Sequence, residues 1–243
     1  MPLVSRFVVA GAVLVTLTGA TVTDVRPPTA PGALYAIGDS WAAGLYADPA
    51  HAFLQDAADD LGTTVAVDGE SGSGYLTAPP GTSTYPDRAA RLPPDRHAGL
   101  VIVQGGSNDD AADLGALPAA VARTVSAMRQ ARPEATVVLL GPGPDPWPVT
   151  GVQRQVDRII AAEASRLGVR YISPLSEGWF TGANVGDIID PATQHPTAAG
   201  DEVLGARLAA DLRGLGHRSH RGGTAWLTSA APRAARARIR RAR

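Results

Sequence analysis

Five short strand-like runs rich in apolar residues, at 33–37, 64–67, 100–103, 136–140 and 169–172, recur along the chain. Each is followed by glycine or polar turn residues, and longer stretches separate them. This alternation constrains the fold more than any other feature, because parallel strands need long crossovers and helices are the usual ones. The expectation is an α/β fold: a three-layer α/β/α sandwich around a five-stranded parallel sheet covered on both faces.

The stretches between the runs support helices of definite extent. Asp48-Pro49 has the form of an N-cap and first helical residue, with Phe53, Leu54, Ala57 and Leu61 on the inner face and Gly62 as the stop. Leu114, Leu117, Val121, Val125 and Met128 recur at helical spacing. Thr150 and Gln153 have capping-box form and Gly168 ends that helix, while Thr197 caps a last helix burying Leu204, Leu208 and Leu212. Residues 75–98, with five prolines and little periodicity, read as an irregular surface excursion, and 173–194 as irregular too.

In open α/β sheets ligands bind at the carboxyl ends of the strands. Polar signals stand at several such ends. Gly38-Asp39-Ser40 follows the first run, and a serine there can be a nucleophile if a histidine takes its proton and donors hold the oxyanion; by itself the triplet favours the reading as a helix cap. Ser71-Gly72-Ser73-Gly74 follows the second run and Gly106-Ser107-Asn108-Asp109 the third. Gly141 to Pro148, rich in proline, follows the fourth and carries Trp147, which can line an acyl pocket or pack over the sheet. His195-Pro196-Thr197 precedes the last helix.

Composition removes other chemistries. The chain of 243 residues has no cysteine, so there is no disulfide, thiolate zinc site or cysteine nucleophile. It has no lysine either, which excludes a lysine Schiff base and a phosphate-binding P-loop. No metal or other cofactor is expected. No strand leads into a Gly-x-Gly-x-x-Gly turn, against a dinucleotide-binding domain, and no basic patch with interleaved aromatics marks a nucleic-acid reader.

The net charge of −1 conceals a polar asymmetry. Residues 212–243 hold nine arginines and no acid, leaving 13 arginines against 23 acids in the rest. Residues 1–20 read as an export signal, with Arg6, an apolar stretch at 7–17 and Thr18-Gly19-Ala20 as the cleavage site; an uncleaved anchor is the other reading. Residues 21–32 form a proline-containing linker, 33–215 the folded domain, and 216–243 an arginine-rich extension expected to be disordered. Such a tail can attract an anionic wall polymer or membrane surface, or be a solvated appendage.

Taken together, the four blocks at Ser40, Gly72, Asn108 and His195 resemble the SGNH, or GDSL-type, hydrolase superfamily over residues 33–212. Trp41 stands where the naming motif has leucine. The resemblance implies a flavodoxin-like fold and a serine esterase, expected as a monomer acting on small-molecule, glycan or lipid esters, and the export signal at 1–20 makes the expected location secreted or cell-surface. It assigns Ser40 as nucleophile, His195 as base, and the Ser40 N–H, Gly72 N–H and Asn108 amide as oxyanion hole, with Gly74 as the alternative to Gly72. Trp41 and Trp147 are the candidate substrate-binding residues.

One position departs from the pattern. The family carries an aspartate three residues before the histidine, and here Ala192 stands there. Asp190 from a rearranged loop, or a backbone carbonyl near Ala192, can orient the ring. A third reading is a non-catalytic protein that keeps the fold to bind glycan or wall polymer.

Overall fold

The structure, a computed structural model, describes residues 32–218 apart from Pro146, with backbone only at 216–218. The export-signal and linker readings, and the tail beyond Arg218, lie outside the described residues. Strands β1 (Ala33–Gly38), β2 (Val65–Gly69), β3 (Ala98–Gln104), β4 (Thr136–Leu140) and β5 (Arg170–Ile172) form one sheet in the order β2-β1-β3-β4-β5, every pair parallel. This is the flavodoxin-like order, in which the crossovers leave β1 and β3 in opposite directions and open a crevice at their carboxyl ends.

Two apolar clusters fill the two faces of the sheet, and β1 supplies both because alternate side chains point to opposite sides. Leu34 and Ala36 pack with Phe53, Leu54, Ala57, Leu204 and Leu208 beneath α1 (Phe53–Asp60) and α6 (Ala198–Arg218). Tyr35 and Ile37 pack with Val121, Val125, Met128, Val156 and Ile160 beneath α3 (Leu117–Ala131) and α4 (Gly151–Leu167). The capping box of α4 forms as its sequence predicts, and Gly168 closes the helix at φ 63°.

Three expectations need correction. Helix α1 starts at Phe53 rather than at Pro49: Asp48 instead closes a turn by accepting from Ala50 N–H at 3.0 Å. The Phe53 N–H is capped by Asp201 Oδ1 at 3.0 Å, a partner 148 residues away that local sequence cannot reveal. Within 75–98 the chain forms α2 (Tyr85–Arg91), capped by Thr84 and buried along Tyr85, Arg88 and Ala89, so this segment is part of the core and not a surface excursion. Residues 173–194 include a short helix, α5 (Val185–Ile188), leading into β6 (Ile189–Asp190), which pairs antiparallel with β7 (His195–Pro196). Among the described residues no helix is long and apolar enough to cross a membrane.

Candidate active site

Gly38 ends β1 where a side chain would run into Ala42 and Gln104, and the chain turns sharply over Asp39. The Asp39 carboxylate is buried and accepts from Trp41 N–H at 2.9 Å, which folds the backbone around Ser40. Burial pushes the Asp39 pKa up to about 6, partly offset by the Trp41 N–H and the Gln104 side chain. The turn presents Ser40 at the sheet edge, with Oγ 2.8 Å from His195 Nε2. These two residues, 155 positions apart, are thus in hydrogen-bond contact.

His195 opens β7, directly after the four-residue turn 191–194 that follows β6. Its Nδ1 lies 2.6 Å from the Thr193 carbonyl. A carbonyl only accepts, so Nδ1 carries the proton and Nε2 is left as the acceptor for the Ser40 hydroxyl. Asp190, weighed as the acid that orients the ring, does other work: its Oδ1 accepts from Ala192 N–H at 2.8 Å, and its carbonyl accepts from Gln194 N–H at 2.8 Å. Both bonds shape the turn that aims the Thr193 carbonyl. Gln194 sits at φ 60°, in the left-handed region that non-glycine residues rarely occupy. The Trp41 indole N–H donates to the Gln194 carbonyl at 3.2 Å and ties this turn to the one carrying Ser40.

That geometry gives Asp190→Asn a definite outcome. Asparagine keeps the oxygen that accepts from Ala192 N–H and favours the same kind of turn, so kcat on an ester should fall by less than about tenfold. A carboxylate partner of the ring would cost roughly 10⁴ when neutralised. The ratio of kcat values decides between the two.

On the other side of Ser40, the loop after β2 is anchored by Asp109. Its buried carboxylate accepts from the N–H groups of Tyr75, Leu76 and Thr77 at 2.9, 2.9 and 3.0 Å. Burial raises the Asp109 pKa, and the three N–H donors pull it back. Gly74 is required here because a side chain would collide with that carboxylate, and its N–H already donates to the Thr77 carbonyl at 2.8 Å. Gly72, at φ 74°, makes no such bond among the described residues, nor does the Ser40 N–H, whereas the Gly74 N–H is already engaged. Asn108 donates one amide hydrogen to the Ser73 carbonyl at 2.9 Å, which fixes the side chain and leaves its second N–H unassigned.

Arg88 of α2, which no sequence pattern marks, braces this loop against β1. Its guanidinium, buried, donates to the Gly38 carbonyl at 2.7 Å, the Asp68 carbonyl and Oδ1 at 2.9 Å each, and Ser73 Oγ at 3.1 Å. Removing one partner of a buried pair leaves the other without compensation. Arg88→Met should therefore lower the unfolding free energy by about 3 kcal/mol, measured as a lower urea midpoint at unchanged slope.

Trp41, a candidate substrate-binding residue, is 8% exposed and packs edge-on against Phe180 with centroids 6.2 Å apart. Trp147 is 37% exposed on the loop after β4. Two residues near the dyad were not anticipated. Tyr46 packs edge-on against the His195 ring, with centroids 5.1 Å apart. Asp145 lies within electrostatic range of His195: burial raises its pKa, and the interaction with a protonated His195 lowers it. Among the described residues no cluster of His, Asp and Glu could hold a metal ion.

Known proteins share this arrangement of elements. A GDSL lipase of Mycobacterium tuberculosis, Rv0518, is 29% identical over 158 residues, 61% of this chain and 64% of that protein, so the match spans slightly less than two thirds of the relative. Solved structures with the same fold include the aryl esterase of M. smegmatis, with TM-score 0.55 and 20% identity over 76% of this chain and 99% of that one. Another is Est24, a carbohydrate acetylesterase from Sinorhizobium meliloti, with TM-score 0.54 and 18% identity over 76% and 99%. The model of the GDSL-like lipase/acylhydrolase family matches residues 36–203, spanning the Ser40, Gly72, Asn108 and His195 blocks. The chain belongs to that GDSL-like lipase/acylhydrolase family.

Proposed function

We propose that the protein is an exported serine esterase that cleaves carboxylic esters through an acyl-enzyme at Ser40. The observation that carries this reading is the 2.8 Å contact between Ser40 Oγ and His195 Nε2, on a ring whose other nitrogen faces a carbonyl. In the first step the Ser40 oxygen attacks the ester carbon while Nε2 takes its proton, giving a tetrahedral oxyanion and an imidazolium. The oxyanion is held by the Ser40 and Gly72 N–H groups and the Asn108 amide. As the tetrahedral species collapses, the C–O bond to the alcohol breaks and Nε2 returns the proton to the departing oxygen. Water then repeats the sequence on the acyl-enzyme, and the acid leaves with Ser40 restored. The step needs no metal: the nucleophile, the proton carrier and the oxyanion donors are all side chains or backbone of this chain.

The Thr193 carbonyl replaces the usual carboxylate. It stabilises the imidazolium by a dipole rather than a full charge, so a modest turnover number is the expectation. Export rests on the sequence at 1–20, and attachment of the basic tail to an anionic surface on the composition of 212–243. Saturable turnover of p-nitrophenyl acetate that disappears in His195→Ala is the expected result. Tight binding to wall polymer with no turnover would replace the esterase by a binding protein on the same fold.

A further inference from the structure

Among the described residues two non-glycine positions have positive φ, Gln194 at 60° and Tyr46 at 69°, and both adjoin His195. Gln194 shapes the turn that aims the ring. Tyr46 has no such duty. Ala47 N–H donates to the Gly44 carbonyl at 2.9 Å, closing a turn in which φ is positive at Tyr46 but not at Leu45, the sign pattern of a type II turn. That turn wants glycine at its third position. A tyrosine there is strained, and strain of this kind is retained where the side chain is needed in that place.

The side chain that results is 70% exposed while one ring edge or face contacts His195. A tyrosine serving only the core would be covered. The large exposed apolar side chains among the described residues are Leu45, Tyr46, Trp147, Val152 and Val203, and the first three lie on loops leaving the carboxyl ends of β1 and β4. Three of these five therefore lie at the edge of the sheet that also carries Ser40.

Chemistry fixes which half of the ester this surface meets. His195 Nε2 must deliver its proton to the departing oxygen, so the alcohol portion lies against the imidazole. A ring 5.1 Å from that imidazole is within one ring's width of the alcohol. Asp145, which interacts electrostatically with His195, is an acid, which disfavours an anionic alcohol. We infer that Tyr46 forms one wall of an alcohol subsite that accepts an uncharged ring-bearing leaving group, aryl or pyranosyl, stacked on its free face.

This inference rests on the esterase reading above, and the test separates the two. Acetyl esters of ethanol, of phenol and of a methyl pyranoside are compared in wild type, Tyr46→Ala, Tyr46→Phe and Ser40→Ala. Comparing each variant with wild type on the same ester cancels the intrinsic reactivity of the leaving group. Tyr46→Ala should lose about tenfold in kcat/KM on one or both ring-bearing esters, in line with a lost aromatic stacking contact, and less than threefold on ethyl acetate. Tyr46→Phe should stay within threefold of wild type on all three. The ring-bearing ester that suffers identifies the source of the ring. Equal losses on all three esters would show that Tyr46 only positions or shields His195, and no loss would show that it touches nothing; either overturns the subsite. Turnover of ethyl acetate that depends on Ser40 and survives in Tyr46→Ala leaves the esterase reading intact even then. Absence of any Ser40-dependent turnover in wild type overturns both.

Discussion

Ser40→Ala and His195→Ala are each expected to lower kcat for ester hydrolysis by on the order of 10⁴-fold or more, and the double variant to fall no further. The reason is that the two side chains act on one proton. Without the hydroxyl, Nε2 has nothing to activate; without the ring, the hydroxyl keeps its proton and stays a weak nucleophile. Non-additivity is the signature of such a unit, whereas two independent contributions would multiply. Folding should survive in both variants, because Ser40 and His195 bond to each other at the sheet edge and neither supports the core clusters. Rates measured on one ester for the two single variants and the double variant check this.

Asn108→Ala is the next largest effect, a drop of about 10² to 10³ in kcat at nearly unchanged KM. The amide has two donors with separate duties. One holds the Ser73 carbonyl at 2.9 Å and keeps the side chain still. The other is the oxyanion donor in the proposed mechanism, and it strengthens only as charge develops on the substrate oxygen, so its loss appears in kcat. Truncation also removes the bond to Ser73, costing about 1 kcal/mol of stability, too little to unfold the domain. Asn108→Asp should be worse than alanine at neutral pH, since a carboxylate there repels both the Ser73 carbonyl and the oxyanion. Steady-state kinetics beside a thermal melt separates the catalytic loss from the structural one.

The five strands were legible because each apolar run is cut by glycine or a polar pair, and that same punctuation places Ser40 and Asn108 at the edge where ligands bind. Contacts spanning the chain were not. The cap of α1 comes from Asp201, and nothing in Asp48-Pro49 shows that these residues form a turn instead. Helix α2 is too short for periodicity to speak, although Thr84 with Pro86 and Asp87 behind it is a capping signal that could have found it. The group facing His195 Nδ1 is a backbone carbonyl, which every residue carries, so no sequence pattern marks Thr193. Ala192 could only say that the usual carboxylate was missing. Tyr46 hid for the opposite reason: its backbone conformation is one that its residue type normally avoids.

The Trp41 substitution in the nucleophile block also acquires a physical account. Leucine cannot donate a hydrogen bond, and here the indole N–H joins the turn of Ser40 to the turn of His195 through the Gln194 carbonyl. With no carboxylate against the ring, the imidazole depends on the aim of that turn, and Trp41 is one of the groups that set it.

Incubation of the folded protein with a fluorophosphonate, followed by peptide mass spectrometry, tests the shared pocket of Ser40 and His195 most directly. A single adduct on the peptide containing Ser40, formed slowly or not at all in His195→Ala, is the predicted result. Folded protein that takes no label, or takes it at another residue while Ser40→Ala still turns over ester, would contradict it.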